Sequence, residues 1–160
     1  MEKHTLRTEY SVYGSPEELP ADDKSLLDAA RSALEHAYSP YSRFKVGAAV
    51  RLANGEILGG SNYENASYPL CICAEQTVLT MASSRFPGVP VHAIAVTVKN
   101  PERPVTRPAP PCGACRQVIC ETEQKNRQPL RILLHGESGP VYVFENGRDL
   151  LPLAFDGSYL

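Results

Sequence analysis

Two cysteine motifs, each at a predicted boundary between a loop and a helix, constrain the fold of this 160-residue chain more than any other feature. The first reads Cys73-Ala-Glu75, and the second reads Pro111-Cys112-Gly-Ala-Cys115. A thiolate at a helix N-terminus is stabilised by the helix dipole and by unpaired N–H groups, and cysteines three residues apart share one helix face. A fold that joins the two helix starts would place three thiolates at one point.

Three converging thiolates suit zinc, which binds cysteine sulfur at about 2.3 Å. Three protein ligands leave the fourth tetrahedral position open for a water, whose pKa zinc can lower to about 7, whereas a closed structural site requires a fourth ligand. Glu75 favours the open site, because a carboxylate that is not a ligand is free to carry protons. We therefore predict that Cys73, Cys112 and Cys115 bind Zn²⁺ and that Glu75 is the catalytic proton shuttle.

The two remaining cysteines are weaker candidates. Cys71 lies two residues before Cys73 on an extended approach, where both side chains share a side, so spacing alone leaves open a role as a fourth ligand. Cys120 falls off the ligand face of its helix and is expected to be a small buried residue. An odd number of cysteines without an export signal argues against a disulfide framework. A redox-active CxxC is an alternative that leaves Cys73 and Glu75 unexplained.

Composition limits the partners. Lysine and arginine number 16 against 18 aspartates and glutamates, a net charge of −2, so a nucleic-acid partner is disfavoured. No window approaches the roughly 20 apolar residues of a membrane span, and the N-terminus has no signal-peptide run. We expect a soluble, cytoplasmic protein without a membrane partner. The four histidines show no metal-site spacing, so none is given a role.

Apolar spacing and turn signals predict the secondary structure. The predicted helices cover 22–38, with Asp22 as cap, 73–84 and 112–124, and the predicted strands cover 46–53, 56–60, 91–98, 130–135 and 140–145. Residues 1–20 form an extension with a possible edge strand at 6–13, and a short turn is expected near 148–152. Gly47 and its neighbours are small, as expected where a helix packs closely over a sheet. We predict one α/β domain over residues 1–160, a three-layer α-β-α sandwich around a mixed sheet of about five strands.

The pattern C-A-E…P-C-G-A-C matches the zinc deaminase signature in its three-cysteine variant. Over residues 24–155 the chain resembles the short, homotetrameric type of cytidine deaminase, and this resemblance rests on four further segments. They are Tyr41–Ala49 (YSRFKVGAA), Asn62–Ala66 (NYENA), Cys112–Val118 (CGACRQV) and Leu150–Phe155 (LLPLAF). The resemblance implies the cytidine deaminase fold, a homotetramer, and zinc-dependent hydrolytic deamination of a small nucleoside in pyrimidine salvage.

The resemblance also assigns substrate contacts. It implies that Asn62 and Glu64 hold the ribose 3′-hydroxyl, that Phe44 packs beside the pyrimidine, and that Phe155 approaches the base from a neighbouring subunit. Ala66 belongs to the same substrate-binding set. Without the resemblance the aromatic residues would be assigned to the core and the polar ones to a surface loop. Because the contacts favour the 3′ side of the ribose, we expect both cytidine and 2′-deoxycytidine to be substrates.

One position departs from the family pattern. Gln76 stands after C-A-E, where the family usually has an arginine that donates to the cysteine sulfurs. A neutral amide compensates the net negative charge of zinc with three thiolates less well than a guanidinium, so we expect a raised pKa of the bound water. Arg116 is expected to donate near the sulfurs or only to cap a charge.

Two alternatives to a cytidine deaminase remain open from the sequence. They are a deaminase of another aminopyrimidine nucleoside and a non-catalytic structural zinc protein.

Overall fold

The computed structural model describes residues 1–160, and its helices and strands follow the predicted order. The strands are β1 Ser11–Tyr13, β2 Lys45–Leu52, β3 Ile57–Ser61, β4 Val91–Lys99, β5 Arg131–His135 and β6 Val141–Phe144. The helices are α1 Ala21–Ala33, α2 Ala74–Arg85 and α3 Gly113–Asn126, with short 3₁₀ helices at Pro16–Glu18, Leu34–His36, Tyr68–Leu70, Gly147–Asp149 and Gly157–Tyr159. None of the helices combines the length and the apolar character that crossing a bilayer requires.

One mixed sheet organises the chain, with the strand order β1-β6-β5-β4-β2-β3. Only β4 and β5 run parallel, and every other neighbouring pair is antiparallel. The sheet has six strands rather than the predicted five or so, because the N-terminal extension contributes β1. That strand pairs with β6 at the sheet edge through Ser11↔Val143 to Tyr13↔Val141. The sequence of the extension suggests an edge strand but does not indicate that this strand pairs with β6.

Helices cover both faces of the sheet, which confirms the predicted three-layer α-β-α architecture. Alternate residues of β2 point to opposite faces, so Ala48 and Val50 join one apolar cluster while Ala49 joins the other. The first cluster includes buried residues of α2 and α3, and the second includes Leu26 and Leu27 of α1. The α2 and α3 helices thus lie on the same face, which brings their N-termini within reach of each other.

The packing of α1 explains the small residue at Gly47. A β-carbon built at Gly47 would collide with the carbonyl oxygen of Ala30 and would lie 3.0 Å from the backbone nitrogen of Leu34. The expectation that a helix packs closely over this strand is confirmed. The expectation that Asp22 caps α1 is wrong, because the helix already begins at Ala21 after Pro20, and Asp22 lies within its first turn. Pro20 occupies the N-cap position, and no side chain caps the helix there.

Candidate active site

The starts of α2 and α3 bring three cysteines together. Cys73 and Cys112 are the residues immediately before the two helices, in extended conformation, and Cys115 is the third residue of α3, within its first turn. Their three sulfur atoms all lie within 4.8 Å of one another, and the Cys112 and Cys115 sulfurs are 3.5 Å apart. Sulfurs on a tetrahedral zinc ion are separated by about 3.8 Å, so these three side chains, the three-cysteine group, fit zinc.

The electrostatics of the three-cysteine group favour a bound cation. The neighbouring Cys115 thiol lowers the pKa of Cys73 to about 7, although burial and the nearby charge of Glu75 act in the opposite direction. The proximity of Cys73, together with burial, raises the pKa of Cys115. A metal ion would stabilise all three thiolates together.

Glu75 lies beside this group at the second residue of α2, and its side chain is buried, at 4% exposure. Burial raises the pKa of the Glu75 carboxyl, while backbone hydrogen bonding at the helix start and the Cys115 thiol partly oppose that change. In a regular helix Cys73 and Glu75 would be about 200° apart. Because Cys73 precedes the helical turn, both side chains reach the same cavity, as the sequence predicts.

That cavity has a volume of about 280 Å³ and is mostly apolar. Its lining residues come from the β2 and β4 end of the sheet, the loop after β3, the approach to α2 and the proline-rich loop before α3, and they are Phe44, Val46, Asn62, Tyr63, Glu64, Cys71, Ile72, Cys73, Glu75, Val96, Val98, Ala109, Pro110 and Cys112. Apolar walls with a few convergent polar groups are typical of small-molecule sites. The cavity brings Glu75, Phe44, Asn62 and Glu64 together with two of the predicted zinc ligands, Cys73 and Cys112. The third ligand, Cys115, joins these two cysteines in the three-cysteine group but does not line the cavity.

Asn62 is held against the start of β2 by its side chain. Its Oδ1 accepts a hydrogen bond from the Val46 N–H at 2.8 Å, and its Nδ2 donates to the Phe44 carbonyl at 3.0 Å. A side-chain amide has two donor hydrogens and two acceptor lone pairs, so one of each stays available for a ligand. Asn62 therefore fixes the backbone next to Phe44 and can still contact a small molecule in the cavity.

The Glu64 carboxylate is fixed by the segment before β2. It accepts hydrogen bonds from the backbone N–H groups of Tyr41 at 2.9 Å and Ser42 at 3.2 Å, and from the Ser42 hydroxyl. Desolvation raises the pKa of Glu64, but these hydrogen bonds from Ser42 and Tyr41 outweigh it, and the net pKa is lowered. The carboxylate is therefore ionised and held in one orientation.

Two predicted substrate residues lie outside this cavity. Ala66 is exposed on the hairpin after Glu64 and does not line the cavity. Phe155 stacks on Tyr159 at 5.6 Å between ring centroids, is 58% exposed, and borders a separate groove of about 590 Å³ between α2 and α3. The structure of one chain therefore does not bring Phe155 to the three-cysteine group, and the ring is left available on the surface.

The neighbours of the three-cysteine group differ in what they contact. Gln76 is half-buried in the first turn of α2, and its side chain makes no hydrogen bond within the chain. Arg116 donates from Nε to the Pro111 carbonyl at 2.9 Å and from Nη1 to the Leu150 carbonyl at 2.8 Å. The guanidinium thus ties the backbone before Cys112 to the C-terminal segment, and its hydrogen bonds go to carbonyl oxygens rather than to sulfur.

The last two cysteines occupy different environments. Cys120 is 8% exposed and packed in the interior, which confirms the expectation of a small buried residue. Cys71 lines the cavity but lies outside the three-cysteine group, and its sulfur contacts the Asn65 backbone.

Two cavity-wall residues on β4, Val96 and Val98, were not predicted from the sequence. Their period-two spacing on β4 is the signal that could have identified them, because alternate residues of a strand share a face.

Comparison with known proteins agrees with this geometry. The family model for the cytidine and deoxycytidylate deaminase zinc-binding region matches residues 20–128. The chain belongs to the cytidine deaminase family. A cytidine deaminase of Halalkalibacterium halodurans is 43% identical over 134 residues, which cover 84% of this chain and 94% of that relative. The family's zinc-binding region and the three-cysteine group together confirm the predicted Zn²⁺ cofactor.

Solved structures of this family share the fold. A cytidine deaminase from Burkholderia pseudomallei superposes with a TM-score of 0.72 at 44% identity, covering 82% of this chain and 97% of that one. The cytidine deaminase from Mycobacterium tuberculosis superposes with a TM-score of 0.66 at 34% identity, covering 86% and 99% of the two chains. These matches confirm the predicted fold class and the prediction that the chain is an enzyme of this family.

Proposed function

We propose that this protein hydrolytically deaminates cytidine and 2′-deoxycytidine to uridine and 2′-deoxyuridine, as a cytoplasmic enzyme of pyrimidine salvage. One observation carries the proposal: Cys73 and Cys112 of the three-cysteine group line a single cavity together with Glu75, Phe44, Asn62 and Glu64. We call the three-cysteine group and Glu75 the metal end of the site, and Phe44, Asn62 and Glu64 its nucleoside end. The size of the cavity suits a small molecule, and the relatives named above are cytidine deaminases. The net charge of −2 gives no reason to expect a polynucleotide substrate.

In this proposal Cys73, Cys112 and Cys115 bind zinc, and zinc supplies Lewis acidity that makes a nucleophile available from water at neutral pH. Glu75 takes a proton from the attacking water and gives it to the ring nitrogen N3 of the pyrimidine. The water oxygen adds to C4, which places a hydroxyl and the amino group on the same carbon. Glu75 then takes the proton of this hydroxyl and passes it to the amino group, the C4–N bond breaks as the C4 carbonyl forms, and ammonia leaves. Burial suits Glu75 to both halves of this transfer, because its raised pKa brings the acid and base forms closer in energy.

The nucleoside end of the site supplies orientation. Phe44 packs beside the flat pyrimidine, and Asn62 and Glu64 form hydrogen bonds with the ribose 3′-hydroxyl, with Ala66 in the same loop. Asn62 keeps one donor and one acceptor free, and Glu64 presents a fixed, ionised carboxylate. No residue is assigned to the 2′ position, so both ribose and deoxyribose are accepted.

A neighbouring subunit completes the site. We place Phe155 against the base bound by another chain of a homotetramer, because its ring is exposed and lies outside the cavity of its own chain. Gln76 and Arg116 adjust the three-cysteine group indirectly. Arg116 does so through the Pro111 carbonyl, and Gln76 does so by leaving the thiolates without a cationic donor.

An assay of ultraviolet absorbance loss together with ammonia release tests the proposal. Cytidine and 2′-deoxycytidine should be converted with similar kcat/KM, 3′-deoxycytidine should be converted on the order of 10²-fold more slowly, and single-stranded DNA should not be converted. Turnover of another aminopyrimidine nucleoside but not of cytidine would contradict the substrate assignment. Stoichiometric zinc without any turnover would instead favour a structural zinc protein.

A further inference from the structure

The loop that carries Asn62 and Glu64 is the middle one of three short extended segments. Tyr63 and Ile72 exchange two backbone hydrogen bonds of 2.9 Å, which begins an antiparallel hairpin. On the other side, the Tyr38 N–H donates to the Asn62 carbonyl at 3.1 Å, and its carbonyl accepts from the Glu64 N–H at 2.8 Å. Glu64 directly follows Tyr63, so the closed hairpin and the segment that contains Tyr38 together set the position of the Glu64 backbone.

The backbone ladder stops immediately after its first pair. In a regular antiparallel hairpin the next hydrogen-bonded pair after Tyr63 and Ile72 would be Asn65 and Leu70. Here the Leu70 N–H donates to the Ser67 carbonyl at 2.8 Å, so it is not available to Asn65. The backbone groups of Asn65 require another partner to keep the hairpin closed.

The Cys71 side chain is that partner. Its sulfur accepts a hydrogen bond from the Asn65 N–H at 3.3 Å and donates to the Asn65 carbonyl at 3.6 Å. A thiol has both a donor and an acceptor, and its long C–S bond lets one side chain reach both groups. The same side chain lines the cavity beside Glu64. Cys71 thus replaces the missing backbone pair next to the nucleoside end of the site.

We propose that Cys71 is a positioning residue for nucleoside binding, and that its thiol holds the Asn65 backbone and thereby the loop that presents Glu64. The inference rests on the proposed function, since the ligand of this loop is a nucleoside. It gives the fourth cysteine of the region a role other than zinc binding. Because two thiol hydrogen bonds at an exposed position are weak, the expected effect is on KM rather than on kcat.

Four variants of the zinc-loaded protein test this role. Cys71→Ala and Cys71→Val remove the donor and acceptor, Cys71→Ser keeps both, and Ser67→Ala removes an exposed hydroxyl of the same hairpin that makes no hydrogen bond within the chain. Cys71→Ala and Cys71→Val should raise KM for cytidine about 3- to 10-fold with kcat within about twofold. They should also remove the protection of the Asn65 amide against hydrogen exchange. Cys71→Ser should recover part of both effects, and Ser67→Ala should match the parent protein.

The role of Cys71 and the proposed function would be contradicted by different results. Unchanged KM and unchanged Asn65 exchange in whichever of Cys71→Ala and Cys71→Val folds would overturn it. A loss of bound zinc in these variants would also overturn it, because Cys71 would then act as a ligand. If the parent protein does not convert cytidine, the proposed function fails. The role of Cys71 in closing the hairpin would still be supported if the Asn65 amide is protected in the parent protein and loses that protection when the thiol is removed.

Discussion

The two ends of the site are built differently. At the metal end, Cys73 and Cys112 stand at helix starts, and Glu75 lies in the first turn of α2. At the nucleoside end, Asn62 and Glu64 lie in a loop that is held by hydrogen bonds to segments distant in sequence. A helix fixes its side chains by its own geometry, whereas a loop depends on every partner. Substitutions at the metal end should therefore change chemistry, and those at the nucleoside end should change binding and local order together.

The largest difference between the two ends should appear with Glu75→Gln. This variant cannot carry the proton, so kcat should fall by about 10²- to 10⁴-fold, while bound zinc and thermal stability are retained. Glu121→Gln is the matched control, because Glu121 is exposed on α3 and does not line the cavity. Steady-state kinetics and metal analysis check both proteins. Nearly full activity of Glu75→Gln would show that Glu75 does not carry the proton in this reaction.

At the nucleoside end, Glu64→Gln should act on KM. The neutral amide accepts more weakly from Tyr41 and Ser42 and replaces a charge-assisted contact to the ribose, so KM should rise about 10-fold, with a melting temperature a few degrees lower. Zinc content should not change. Kinetics, calorimetry and metal analysis measure the three quantities. A fall in kcat alone, with KM and melting temperature unchanged, would contradict the contrast between the two ends.

A third effect should arise outside both ends, at His135. Its side chain is 1% exposed, and neither ring nitrogen has a hydrogen-bond partner. Burial, followed by the charge of Arg31, lowers the pKa of His135 below its unfolded value of about 6.5. The stability that its neutral form contributes is thus present above about pH 6.5 and is lost as pH falls through the folded pKa.

Denaturant unfolding between about pH 7 and pH 5 measures this loss. His135→Leu should lose less stability over that range than the parent protein, whereas His92→Leu, at an exposed position on β4, should behave like the parent. Equal pH dependence in all three proteins would show that acid sensitivity has another origin. The same test separates acid effects on the fold from acid effects on the reaction.

The smallest effect is expected for Gln76→Arg. An arginine in the first turn of α2 can donate to the thiolates, so the pKa of the attacking water should fall and the lower limb of the pH–rate profile should move to more acidic pH, by less than about one unit. KM should stay the same, because the change lies at the metal end. The pH dependence of kcat/KM checks this expectation, and coincident profiles for the two proteins would contradict it.

Much of the metal end could be predicted from the sequence. The spacing of Cys112 and Cys115 places both on one helix face, and Cys73 with Glu75 marks a helix start, so local geometry identified the members of the group. The order of helices and strands after residue 20 was also predictable from apolar periodicity. In the N-terminal extension only an edge strand was anticipated, and it proved to be the three residues Ser11–Tyr13.

Local pattern alone determined which residues form most of the helices and strands of this protein and that its three zinc-site cysteines lie at helix starts, because those features depend on neighbours within one or two helical turns. The three sulfurs meet because α2 and α3 pack on the same face of the sheet. Only the tertiary structure decided that β1 pairs with β6, that Tyr41 and Ser42 hold Glu64, and that the Cys71 sulfur closes the hairpin on Asn65. These contacts join segments whose approach is set by packing of the whole sheet. A single side chain in a loop has many alternative partners, and the fold selects one of them.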